Sequence, residues 1–369
     1  MTKQTAFYER LNALTDQWID LFGYWVPAVV TNPLEEYRAV RSAAGLMDFS
    51  MLRMIDIDGP GAVKLVNTVV TRDLTRLRPG QIAYGALCAE DGKMLDDCTV
   101  MIRDADHIRF CGANDRDMEI LRKKSQAAGI QVREFTDDMP HLCIQGPASR
   151  EILAPLASAD ISPDSFPYYT FREDVAIGGI PVFMTRMGYT AELGYELWPA
   201  REQAEALWDL LMKAGEPAGM KPVGAAALTM IRIEGGLILE GVEYDSTVSP
   251  YECGMGWSIA LDKGDFQGRA ALARDKESTR LRIASVVLDS GADQVSGAKL
   301  FSGGVEIGRI TQAVASPYLA GRTLGLAEID KDYKKEGIAV EARFDGAAIA
   351  GKVVSHPVYD PKRARATLS

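Results

Sequence analysis

The sequence predicts an α+β protein of more than one domain. Three observations lead there. Strand-like and helix-like periodicities alternate over the first 240 or so residues. Beyond about residue 280 the pattern becomes short apolar runs between glycines and charged turns, which suggests a small barrel or sheet. The chain, at 369 residues, also exceeds what one hydrophobic core ordinarily organises.

Taken in order, residues 4–22 carry Phe7, Leu11, Leu14, Trp18 and Leu21 at intervals of three or four, which predicts a first helix broken by the run Gly-Tyr-Trp-Val-Pro. A second helix is expected over 34–44 and ends at Gly45. Short strands follow over 46–50 and 51–58, then a helix over 62–70. Residues 84–88 and 94–102 read as two strands joined at Asp91-Gly92, because Gly accepts positive φ and Asp bonds its own backbone. Strands are expected over 106–111, 131–135 and 141–144. A helix over 115–128 has Asn114 as its cap, and one over 148–156 starts after Pro147. Helices over 201–214 and 224–234 complete this part. A short helix over 269–274 precedes strands over 282–288, 305–313, 325–329 and 340–344. The domain boundary near the C-terminal part falls between 241 and 280.

Composition narrows the function. Lys plus Arg number 41 against 51 Asp plus Glu, a net charge of -10 with no basic blocks, which argues against nucleic acid or an anionic membrane. No run is long and apolar enough to span a bilayer, and the first residues lack a signal-peptide core, so a cytoplasmic location is expected. Five scattered cysteines fit free thiols in a reducing compartment. None of the three histidines lies near another, or near a cysteine, in zinc-like spacing, so no metal is expected. Phosphate-loop, GxGxxG, GxSxG, HExxH and CxxC patterns are absent.

Two stretches carry chemistry. In the 94–102 strand, Asp96 and Asp97 are adjacent, so they point to opposite faces, one inward and one outward. An inward carboxylate needs partners or a shifted pKa. The alternative is a strand end with two solvated acids. The second stretch, 184–198, combines Tyr189, Tyr195 and Trp198 with Glu192 and Glu196. Aromatic faces and carboxylates together suit a flat polar heterocycle. The same residues equally describe a hairpin with exposed acids and core aromatics. On the 224–234 helix, Leu228 and Arg232 share a face, and an Arg so placed must reach a partner or water.

Several motifs in order resemble one family. They are Phe22-Gly23-Tyr24-Trp25-Val26-Pro27, Gly45-Leu46-Met47-Asp48-Phe49-Ser50, Met94-Leu95-Asp96-Asp97, Gln145-Gly146-Pro147, Tyr168-Tyr169-Thr170-Phe171, the hairpin Gly188-Tyr189-Thr190 to Glu196, Arg232-Ile233-Glu234 and Ser249-Pro250-Tyr251-Glu252-Cys253-Gly254. The chain resembles the folate-dependent aminomethyltransferases, that is, the glycine cleavage T-protein and related tetrahydrofolate-dependent demethylases, from about residue 17 to about 360. The resemblance implies a three-domain cloverleaf with a small C-terminal barrel-like domain and tetrahydrofolate in a central hole. It implies a first domain of 1–50 plus 140–240, a second of 51–139 and a third of 241–369. It implies Asp97 beside folate N5 as the catalytic acid/base or electrostatic group. Tyr84, Tyr189, Glu196, Trp257 and Arg363 fall at folate contacts, and Tyr24, Cys111 and Leu228 on the substrate side.

The family carries Gly-Ala-Arg-Asp before its Arg-Leu-Glu motif, and here the last two positions of that tetrad are Leu228 and Thr229. An Asn near the end of the 106–111 strand is Cys111. Both departures shift the expectation from an aminomethyl-lipoyl carrier protein toward a small N-, S- or O-methyl donor whose methyl group goes to N5. The competing readings are a T-protein, a non-catalytic folate-binding module and a silent partner of a demethylating flavoprotein.

Overall fold

The computed structural model describes residues 1–291 and 295–367. Three larger sheets of different kinds, with one two-stranded hairpin beside them, organise them. A six-stranded mixed sheet runs in the order Phe171–Ile177, Ile180–Thr185, Gly194–Pro199, Leu142–Gln145, Gly45–Asp48 and Lys221–Pro222. Its core packs against the helix Ala204–Gly215 through Leu207, Trp208 and Leu211. A five-stranded sheet runs in the order Ile82–Cys88, Met94–Ile102, His107–Gly112, Arg53–Asp58 and Gln131–Glu134. Leu281–Leu288, Lys299–Ser302, Val305–Ser316, Arg322–Asp330, Ala339–Phe344 and Ala347–Val354 close into a barrel. No described helix is long and apolar enough to cross a membrane.

Most elements fall where periodicity puts them, and the departures have local causes. The expected helix over 4–22 is only Tyr8–Asn12, followed by the hairpin Trp18–Leu21 and Tyr24–Pro27. Leu21 pairs with Tyr24 across Phe22 (φ 50) and Gly23 (φ 82). Two successive positive φ values make a tight hairpin turn that a helix cannot contain. The three-and-four spacing of large apolar residues was therefore shared by a short helix and a strand. Asn114 precedes its helix but makes no side-chain cap; its amide is spent on Glu240 Oε2 at 2.7 Å.

In the barrel, Lys299–Ser302 and Ala347–Val354 were not anticipated. The first is four residues long, and the second is rich in Ala and Gly and largely exposed, so neither shows the β-branched alternation of a half-buried strand.

Gln145, of the Gln-Gly-Pro motif, links the fold to the site. Its Nε2 donates to Met187 O at 3.1 Å and its Oε1 accepts from Thr190 Oγ1 at 2.9 Å. A Cβ at Gly188 or Gly194 would stand 1.9 and 2.2 Å from Gln145 Oε1. The loop bearing Tyr189 is thus clamped onto the sheet by a side chain that only glycine neighbours admit.

Candidate active site

The three sheets leave a cavity of about 400 Å³ between them. Tyr84, Asp97 and Cys111 reach it from the five-stranded sheet. His141, Tyr189 and Glu196 come from the six-stranded sheet and its loops, and Leu228 and Arg232 from the helix Ala225–Glu234. Glu240 and Gln312 close the third side. Most of the remaining wall is apolar, including Phe22, Phe49, Met51, Leu52 and Ile238. This size, with an apolar wall and a few convergent polar groups, is that of a small-molecule site.

Asp97 is the best-defined polar group in it. Its Oδ2 accepts the Tyr84 hydroxyl at 2.6 Å and its Oδ1 accepts the Tyr244 hydroxyl. Burial raises its pKa to about 6, and the charge of Asp96 adds to the rise; the two tyrosine hydroxyls pull the other way. Asp97 thus titrates close to neutrality, where a proton acceptor works best.

Asp96 lies on the opposite face but is not solvated. It is fully buried. Its Oδ2 accepts Ala113 N at 2.6 Å and Asn114 N at 3.2 Å, and its Oδ1 accepts the Tyr244 hydroxyl at 3.1 Å. The expectation that one carboxylate points outward is corrected: the outward face of this strand is covered by the turn 112–114 and the helix Asp115–Gln126. That helix adds Asp117, whose carboxyl is fully buried and pushed well up, first by burial and then by Asp96. Glu240 is pushed up in the same order.

Tyr84, Tyr189, Glu196, Leu228 and Cys111 line the cavity together with Asp97. Tyr189 anchors its hydroxyl on Ile238 O, which leaves the ring as wall. Tyr24, Trp257 and Arg363 do not line it. Tyr24 is buried and donates to Asp137 Oδ1 at 2.7 Å, away from the cavity. Trp257 is 60% exposed and leans on Tyr84, ring centroids 6.1 Å apart. Arg363 acts from behind, its charge lowering the phenol pKa of Tyr168 and of the cavity residue Tyr169 against the upward push of burial. Glu192 does not reach the cavity either. It pairs with Arg41 at 3.1 Å and Arg365 at 3.5 Å and accepts the Tyr359 hydroxyl, so its charge is spent inside the fold. Arg232 satisfies its expected need for a partner on Glu243 at 2.6 Å.

Sequence reasoning missed Tyr244, Asp117, Glu240 and His141. Tyr244 lies 147 residues from Asp97, in a turn-rich link with no periodicity. Asp117 reads as an ordinary acidic residue in a helix first turn.

The GCVT N-terminal domain model matches residues 7–263, and the glycine cleavage T-protein C-terminal barrel domain model matches residues 282–360. The chain belongs to the folate-dependent aminomethyltransferase family. Aminomethyltransferase of Symbiobacterium thermophilum is 33% identical over 97% of this chain and 97% of its own length. Trimethylamine-oxide aldolase of Ruegeria pomeroyi is 35% identical over 99% of this chain, which spans 48% of that relative. The crystal structure of glycine cleavage system aminomethyltransferase T from Bartonella henselae superposes with a TM-score of 0.88 at 24% identity, covering 98% of this chain and 99% of that one. The fold is thus of the T-protein type, a mixed helix and sheet body with a closed six-stranded C-terminal barrel. Leu228, where the family resemblance leads one to expect an Arg, lines this cavity with an apolar side chain.

Proposed function

We propose that this chain is a tetrahydrofolate-dependent transferase that takes a one-carbon group from a small N-, S- or O-methylated donor and passes it to folate N5. The observation that carries the reading is Asp97, a cavity carboxyl with a pKa of about 6 held between two tyrosine hydroxyls. The apolar wall and the few polar groups fit a pterin with a small donor beside it. Bound tetrahydrofolate supplies an amine nucleophile at N5.

The chain's own part is positioning and proton movement. Tyr84, Tyr189 and Glu196 hold the folate side, with Trp257 and Arg363 supporting Tyr84 and Tyr169 from outside the cavity. Cys111 and Leu228 shape the donor side, with Tyr24 behind them. Asp97 takes the N5 proton at its carboxylate as the new bond to carbon forms, while the electrons of the breaking bond leave with the donor heteroatom. Tyr84 and Tyr244 hold that carboxylate in place and keep it from protonating too early. The apolar side chains of Phe22, Phe49 and Ile238 in the wall limit the water around the reacting groups. Orientation of this kind supplies at most about 7–11 kcal/mol, and a positioned base on the order of 10²–10⁴ in rate. Aromatic walls also suit a cationic donor such as a quaternary amine or sulfonium.

The names of relatives matched over nearly their whole length favour a second reading, aminomethyl transfer, for which the family resemblance implies a lipoyl carrier protein as donor. Leu228 argues against it. The test incubates purified protein with tetrahydrofolate and, separately, trimethylamine N-oxide, methylated amines, sulfonium compounds and methoxy aromatics, and measures 5-methyl- and 5,10-methylenetetrahydrofolate. Product from one of these donors is expected. Folate binding without product from any of them, with turnover of an aminomethylated lipoyl carrier, replaces the reading with the second. Binding with no turnover at all makes the chain a folate module.

A further inference from the structure

The cavity wall away from Asp97 carries a second cluster that the transfer chemistry does not use in full. His141 and Cys143 are two residues apart on an extended segment, so their side chains lie on one side. Cys143 is the register partner of Glu196 on the neighbouring strand Gly194–Pro199. His141 Nε2 stands 3.4 Å from Cys143 Sγ and 3.5 Å from Glu196 Oε2. All three donor atoms lie within 4.8 Å of one another.

Those edges fit an ion. With zinc bonds of about 2.0–2.1 Å to nitrogen, 2.3 Å to sulfur and 2.0–2.2 Å to oxygen, tetrahedral angles put the N–S edge at about 3.6 Å and the N–O edge at about 3.4 Å. Charge balance points the same way. Glu196 is buried, and among the described residues its one salt-bridge partner is His141. A thiolate and a carboxylate on a dication leave no net buried charge, whereas without the ion the buried carboxylate leans on the Thr185 hydroxyl at 3.1 Å and the neighbouring His141 and Cys143 side chains. The imidazole is held by stacking on Trp198, ring centroids 4.1 Å apart, and its Nδ1 is buried without a hydrogen-bond partner, so its Nε2 edge carries the polar contacts.

We propose that His141 Nε2, Cys143 Sγ and Glu196 Oε2 bind one divalent transition-metal ion of borderline softness, zinc by preference, with a fourth coordination position open to the cavity. The imidazole–thiolate–carboxylate set selects such an ion over magnesium or calcium, and three protein ligands with an open fourth place is the pattern of a reactive rather than a closed structural site. His141, Glu196 and Cys111 all line the cavity, so the open place is where a water or a donor oxygen or sulfur would bind. Thr185 and His141 both approach Oε2 of Glu196, so the ion and a cavity ligand on Oε1 use different oxygens. The expectation of no metal rests on the absence of zinc-like spacing along the chain; here strand alternation and cross-strand pairing bring the side chains together.

The test strips the whole chain with a chelator, dialyses it against zinc or cobalt(II), and measures retained metal and the cobalt absorption spectrum. About one equivalent retained, with a thiolate-to-cobalt charge-transfer band, is expected. Cys143→Ser should remove the band, and Cys143→Ser or His141→Gln should weaken retention by at least the ~10–100-fold that losing a mere supporting partner costs. Cys253→Ser, in a core cluster separate from that of Cys143, should keep both. No stoichiometric retention by the wild-type chain overturns the proposal, and so does retention without the band, which would place the ion elsewhere. Wild-type data decide this even if a variant fails to fold. No folate or methyl donor is used, so failure here leaves the proposed transferase function standing.

Discussion

Asp96 Oδ1 accepts the backbone amide of Asp97 at 2.9 Å, so the carboxylate on one face of the strand is tied to the main chain of the residue that faces the other. The Tyr244 hydroxyl reaches both. Asp96 is consumed by backbone donors and organises the 112–114 turn, and Asp97 is left facing the cavity. The pair has divided into a scaffold acid and a reactive acid because one face of the strand is sealed by a helix and the other opens on the cavity. The same relationship sets the charge of Asp96 where it adds to the upward push of burial on the pKa of Asp97.

If Asp97 is the proton acceptor, its carboxylate form is the active one. The rate, read as the pH dependence of kcat/KM, should therefore rise as pH increases through about 6. Asp97→Asn should abolish that limb and lower kcat on the order of 10²–10⁴-fold, with folate affinity retained in calorimetry. A raised folded-state pKa also means that ionised Asp97 opposes folding. The variant should unfold at higher temperature than wild type at pH 8, and the gain should fade as pH drops through about 6 towards 4. Full turnover by Asp97→Asn would remove this residue from the chemistry.

Two further substitutions should move the limb in opposite directions. Asp96 raises the pKa of Asp97, so Asp96→Asn should shift the acid limb to lower pH. It should also cost about 1–3 kcal/mol in denaturant unfolding, because Ala113 N and Asn114 N would face an amide that also presents donors. The Tyr244 hydroxyl lowers the same pKa, so Tyr244→Phe should shift the limb upward. Equal shifts in one direction would mean that the limb belongs to another group.

How much of this was legible in the sequence depends on how locally each feature is written. The hairpin around Asp91-Gly92 and the alternation over 94–102 are local, and Ile82–Cys88 pairs with Met94–Ile102 as that pattern requires. The motif order was enough to bring Tyr84, Asp97, Tyr189 and Glu196 to one cavity. What periodicity could not encode was long-range burial. Asp96 and Asp117 look like surface acids until the helix is folded over the strand. Glu192 looks like a site carboxylate until Arg41, from the helix Pro33–Ser42, reaches it. His141 and Cys143 look unrelated to a ligand set until Glu196 pairs across from Cys143.

His356 offers a test of the junction between the barrel and the rest. It hydrogen-bonds Ser285 Oγ at 2.9 Å, and a Cβ at Gly236 would stand 2.9 Å from its Cε1. Burial, helped by the charges of Lys334 and Arg363, lowers its pKa to about 4. Between about 4 and 6.5 the unfolded chain therefore binds the extra proton, so this residue's contribution rises with pH across that window and is lost on acidification. Wild type should lose on the order of 2–3 kcal/mol more than His356→Gln between pH 7 and pH 4 in denaturant titrations. Parallel curves for the two proteins would show that the imidazole titrates in the fold as it does in the unfolded chain.

Leu228 bears on donor choice. It lines the cavity one helical turn from Arg232, whose charge is committed to Glu243. Placing a second guanidinium there with Leu228→Arg would add an uncompensated cation to an apolar wall. A cationic methyl donor should feel it most. We expect kcat/KM for quaternary amine or sulfonium donors to fall ~10-fold or more, about 1.4 kcal/mol, largely through KM, while folate affinity changes little. The conservative Leu228→Met should stay within a few-fold of wild type, because it preserves volume and polarity. If Leu228→Arg instead gained activity with an aminomethylated lipoyl carrier while losing the small donors, this one side chain would be the specificity switch between the two branches of the family. If neither activity moved, the donor would bind against another part of the wall.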